Sequence, residues 1–121
     1  MKAPKGLGTA GRRLWRDVLA DVADGWELDA RDVALLEAAC RAADRAAALD
    51  EAVESDGLMV PGSQGQRVLH PAVAEARLQR QLVATLLAKV ELAPPGKRRA
   101  DAQRDQLQAA RQARWQPRKA S

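Results

Sequence analysis

Apolar positions recur at helical spacing over two long stretches and one shorter one. Leu14, Trp15, Val18, Leu19 and Val22 form a single stripe, which predicts a first helix that starts at Thr9, whose hydroxyl can cap exposed N–H groups, and stops at Asp24-Gly25. The second helix announces its start more fully. Asp29 stands at the N-cap, Asp32 lies in the first turn facing the positive helix end, and Leu28 is placed to staple onto Val33. It is predicted to run to about Glu54 with two apolar faces: Val33, Leu36, Cys40, Ala43 and Ala47 on one, Leu35, Ala39, Ala42, Ala46, Leu49 and Val53 on the other. Two faces imply two packing partners, and the alanine-rich middle lets them approach closely, leaving room for one to come from another subunit.

Between Asp56-Gly57 and His70-Pro71 the period changes. Leu58-Met59-Val60 and Arg67-Val68-Leu69 are short extended runs around Pro61-Gly62-Ser63-Gln64-Gly65-Gln66, the pattern of a small hairpin or an ordered loop. Pro71 suits the first position of a third helix, which continues through Val73, Ala76, Leu78, Leu82, Val83, Leu86, Leu87 and Val90 until Pro94 stops it. Helices two and three should form a long antiparallel hairpin with the short motif at its tip. The predicted class is all-α: residues 1–8 a flexible basic arm, 9–92 a helical oligomerisation core containing the 57–70 motif, and 93–121 a basic tail. That tail has Leu107 as its one large aliphatic residue, so its helical stretch is expected to order only on a partner.

Composition supports a helical chain with a thin core. Of 121 residues, 26 are Ala and 15 Leu, with no Ile, Phe or Tyr, and a core of such side chains buries little area per residue. Part of this reflects coding, since Asn is also absent and Arg outnumbers Lys 15 to five, as expected of a GC-rich genome. The net charge of +4 is unevenly placed: residues 31–57 carry −4 and residues 94–121 carry +6, after the Pro94-Pro95-Gly96 break. No apolar run is long enough to span a membrane and residues 1–11 lack a secretory signal, so a cytoplasmic location is expected.

Little in the chain supports chemistry. Gly6-Leu7-Gly8-Thr9-Ala10-Gly11 matches the spacing of a dinucleotide loop, but five residues leave no space for the strand that must precede one; an arm leading into a helix cap is the plainer reading. His70 fits a capping role better than a base, because no nucleophile or orienter accompanies it. Cys40, among alanines, reads as a small buried hydrophobe. Asp44, Asp50, Glu51 and Glu54, interleaved with Arg41 and Arg45, read as solvated i,i+3 and i,i+4 pairs. No catalytic, metal or cofactor site is expected. Two basic clusters suit phosphate contact: Lys2, Lys5, Arg12, Arg13 and Arg16, partly offset by Asp17 and Asp21, and the tail residues Lys97, Arg98, Arg99, Arg104, Arg111, Arg114, Arg118 and Lys119.

The signals also fall in a recognisable order. Leu7-Gly8-x-x-Gly11-x-x-Leu14-Trp15, Glu27-Leu28-Asp29-x-x-Asp32-x-x-Leu35-Leu36, Ala39-Cys40, Val60-Pro61-Gly62-Ser63-Gln64-Gly65 and His70-Pro71 succeed one another, followed by Glu75, Arg77, Arg80, Leu86-Leu87 and Ala113-Arg114-Trp115. Over about residues 7–92 and the end of the tail this resembles the small terminase subunits of tailed bacteriophages and prophages. The resemblance implies a DNA-packaging adaptor without a catalytic site, in the cytoplasm of a bacterial host. It would form a homo-oligomeric ring, engage double-stranded viral DNA and regulate the large terminase subunit, an ATPase and nuclease. On that footing Lys2, Lys5, Arg12, Arg13 and Arg16 are candidate DNA contacts, while Lys97, Arg98, Arg99, Arg104, Arg111, Arg114 and Trp115 are candidate contacts to the large subunit or to DNA. Leu35, Leu36, Ala39, Ala43, Leu49, Leu82 and Leu86 are candidates for core or oligomer packing. Two other classes compete: a small helix-turn-helix regulator, opposed by the acidic start of helix two, and an interaction module whose tail folds on a protein target.

Overall fold

The computed structural model describes residues 1–94, 104 and 106–112. Its elements are α1 (Thr9–Ala20), α2 (Ala30–Asp56), β1 (Met59–Pro61), β2 (Arg67–Leu69) and α3 (Pro71–Lys89), with residues 104 and 106–112 also helical. The expected plan of a short helix, a long helical hairpin and a small antiparallel β-hairpin between its arms is what the chain adopts. Among the described residues no helix is long and apolar enough to cross a membrane.

α2 is the axis, and each of its two apolar faces finds a partner inside the chain. Leu36 and Cys40 join Leu7, Trp15 and Val90 in the buried cluster, with Leu14, Val18 and Val33 packed against it, so one face meets α1. The other meets α3, where Ala39, Ala42 and Ala46 of α2 and Ala72 and Ala76 of α3 are buried. Leu35, Ala43, Ala47, Leu49 and Val53 of these faces stay half-buried. The larger side chains gather at the end where α1 flanks the hairpin, and alanines hold the far half. Burying methyl groups releases less free energy per residue than burying Leu or Trp, so stability is concentrated at the α1 end.

The junctions follow local chemistry. Asp29 Oδ1 accepts from Asp32 N at 2.7 Å and Asp32 Oδ2 accepts from Asp29 N at 3.4 Å, the reciprocal capping box anticipated at this start. Asp32 has a second role that its sequence position did not suggest. It is 3% exposed, and Oδ1 accepts from Glu91 N at 3.2 Å. Trp26 Nε1 donates to Glu91 O at 2.8 Å, and Ala23 N to Leu92 O at 2.8 Å. The α1–α2 loop therefore clasps the backbone just after α3, where Val90 is buried.

At the other end, Gly57 adopts φ +88°, a conformation favouring glycine, and its N–H bonds to Val53 O. β1 and β2 pair with Met59 opposite Leu69 and Val60 opposite Val68. His70 caps α3 by accepting from Ala72 N at Nδ1, 3.0 Å, while Nε2 lies 2.9 Å from Asp56 Oδ2. Because Nδ1 accepts, the proton sits on Nε2 and donates to Asp56. Pro71 occupies the first turn, as expected.

Candidate functional site

The start of α1 departs from its sequence reading. Thr9 is not the cap: Gly8 holds that position with no side-chain bond of its own. The capping group arrives from α2, where Asp44 Oδ2 accepts from Gly8 N and Oδ1 from Gly11 N, each at 2.7 Å. Asp44 is thus no solvated partner of Arg41 or Arg45. Its carboxylate takes two of the N–H groups that a first helical turn leaves unpaired. Gly11 is what lets it in, since a Cβ there would lie 2.5 Å from Asp44 Oδ2 and 2.8 Å from Cys40 O. The glycine-rich run is a helix cap after all, with a protein carboxylate standing where a nucleotide-binding loop would hold phosphate.

Asp50 also differs from its sequence reading, because it pairs with Arg80 across the hairpin instead of within α2. Cys40 is fully buried, and burial, followed by the nearby carboxylates of Asp44 and Glu37, pushes its thiol up to about 11. Such a thiol is protonated and unreactive at neutral pH.

Three of the five N-terminal basic candidates come together. Arg12, Arg13 and Arg16 are exposed and, with Thr9, line a shallow depression on the outer side of α1. Arg12 Nη1 donates to Leu7 O at 2.7 Å, while Arg16 forms an exposed ion pair with Asp17 at 3.2 Å, the offset expected from sequence. Arg13 makes no ion pair among the described residues. Lys2 and Lys5 are exposed and do not line that depression. Lys5 O accepts from Arg41 at 3.4 Å, Leu7 is buried, and Met1 sits beside Leu19, Val22 and Trp26. Residues 5–8 thus contact α2 and the start of α1.

In the tail, Arg104, Leu107, Gln108 and Arg111 share one surface of the helical stretch, with Leu107 exposed. Lys97, Arg98, Arg99, Arg114 and Trp115 lie outside the described residues. Of the packing candidates, Leu36 and Ala39 are fully buried, Leu35, Ala43, Leu49 and Leu86 are half-buried, and Leu82 is 40% exposed. One turn before it, Leu78 is 51% exposed. The sequence reading placed Leu78 on the helix without singling it out, although an i,i+4 pair of leucines flanked by Arg77 and Gln81 was the available signal.

A family model described as phage terminase, small subunit, matches residues 11–107. No curated protein and no solved structure matches the chain.

Proposed function

Because the chain belongs to the phage terminase small-subunit family, with a role in viral genome packaging, we propose that it is the non-catalytic adaptor of that process. In this reading it assembles into a homo-oligomeric ring and engages double-stranded viral DNA through Arg12, Arg13 and Arg16. Its basic tail recruits or regulates the large ATPase and nuclease subunit. The observation that carries the DNA assignment is the grouping of three exposed guanidinium groups on one face of α1, a placement suited to phosphate oxygens along a duplex. Repetition around a ring multiplies such contacts without strong binding by each subunit.

The half-exposed Leu78 and Leu82 on α3 suit a subunit interface, and the Arg104 and Arg111 face of the tail suits an acidic partner or DNA. The helix-turn-helix alternative loses ground, because α2 lies between α1 and α3 and its first turn is committed to the capping box and to Glu91. A recognition helix needs that end free to enter the major groove.

Native mass measurement tests the ring, and a stable monomer at micromolar concentration removes it. Electrophoretic shifts with Arg12, Arg13 and Arg16 changed to Ala, beside a chain ending at Ala93, separate the two basic clusters. Unchanged binding in both overturns the DNA assignment.

A further inference from the structure

We propose that Asp44 is a positioning residue for the basic face of α1: its carboxylate fixes the start of that helix, and with it Arg12, Arg13 and Arg16, in the geometry that meets nucleic-acid phosphates. The inference rests on the DNA-engaging reading of α1 given above. Three observations converge on this side chain. It accepts from Gly8 N and Gly11 N at 2.7 Å each. It fills the space at both glycines, where a Cβ would lie 2.9 Å from Oδ1 at Gly8 and 2.5 Å from Oδ2 at Gly11. Finally, Arg12 is tied to Leu7 O, the residue just before this cap, at 2.7 Å, so its direction depends on the same turn. The end of α1 that favours anions is already occupied from within. Phosphates must then be met by side chains alone, and those side chains are only as well placed as the turn that carries them.

The sign of the effect separates positioning from simple charge. Asp44 is a negative charge beneath a basic surface, so on Coulombic grounds its neutralisation tightens binding to a polyanion. Positioning predicts the reverse. Asp44→Asn keeps the shape but offers one acceptor oxygen where two are used, leaving one N–H unpaired. The first turn loosens, and its arginines must be ordered during binding.

The test is fluorescence anisotropy of the full chain with a labelled double-stranded oligonucleotide over a series of salt concentrations, with circular dichroism melts in parallel. Asp44→Asn is expected to weaken binding about fivefold, the scale of a missing cap hydrogen bond, and to reduce the dependence of log affinity on log salt, because fewer phosphates are met at once. Mere destabilisation lowers the competent fraction and leaves that slope alone. Glu51→Gln, an equal charge change at an exposed α2 position, should leave affinity unchanged or slightly higher. Equal or tighter binding by a folded Asp44→Asn protein overturns the proposal. Should that variant not fold, Gly8→Ala decides, since it keeps every charge and only crowds the carboxylate; unchanged affinity and slope there overturn it as well. The underlying reading fails differently, through wild-type binding that ignores Arg12, Arg13 and Arg16 replaced by Ala, and that outcome removes both.

Discussion

Gly11 sits where the α1 backbone passes close to α2, and a side chain there would crowd both the Asp44 carboxylate and the Cys40 carbonyl. The carboxylate can swing away, but the carbonyl belongs to α2 and cannot. Gly11→Ala should therefore cost about 1–3 kcal/mol, the range for forced overpacking, despite the better helix propensity of Ala. Urea unfolding checks this, and a variant as stable as the parent refutes the close approach. Cys40 lies across the same junction and gives a pH signature. Burial raises its thiol from 9.0 to about 11, so this group contributes no pH dependence well below pH 9. Between those values the unfolded chain loses its proton while the folded chain keeps it, and stability falls. Cys40→Ala removes this decline, so wild type should lose more than the variant between pH 8 and pH 11. Parallel losses would show that the thiol does not report the core.

At the scale of elements, the caps set where each helix begins, and their origins differ. The α2 and α3 caps are local, so Asp29, Asp32, His70 and Pro71 were legible in the sequence. Replacing His70 with Ala removes both the Ala72 N–H acceptor and the tie to Asp56, and should cost about 1 kcal/mol with faster amide exchange at Ala72; unchanged exchange would refute the capping role. The α1 cap was illegible for a physical reason. Its acceptor is 33 residues from Gly11, and no local pattern ties a mid-helix carboxylate to a glycine run so distant. Thr9 looked sufficient because capping rules concern neighbours in sequence. The basic face shows the same division. Helical spacing put Arg12, Arg13 and Arg16 together, whereas Lys2 and Lys5 joined them only by charge and do not line the depression those arginines share.

For the whole molecule, the proposed DNA contacts have a salt signature. If each subunit presents three phosphate-binding arginines, their removal should reduce the slope of log affinity against log salt by up to about 0.9 for every phosphate no longer neutralised, summed over the subunits engaged. A titration over a range of salt concentrations measures this, and an unchanged slope places the DNA-binding surface elsewhere. The position of the tail adds a mechanical aspect. Its root at residues 91–92 is fastened by Asp32, Trp26 and Ala23, which belong to the start of α2 and the loop before it. A pull on the proposed docking tail would meet these fasteners at its root. The load would pass across the fasteners into the loop joining α1 to α2, and so reach α1 from the end opposite the arginines proposed to meet DNA.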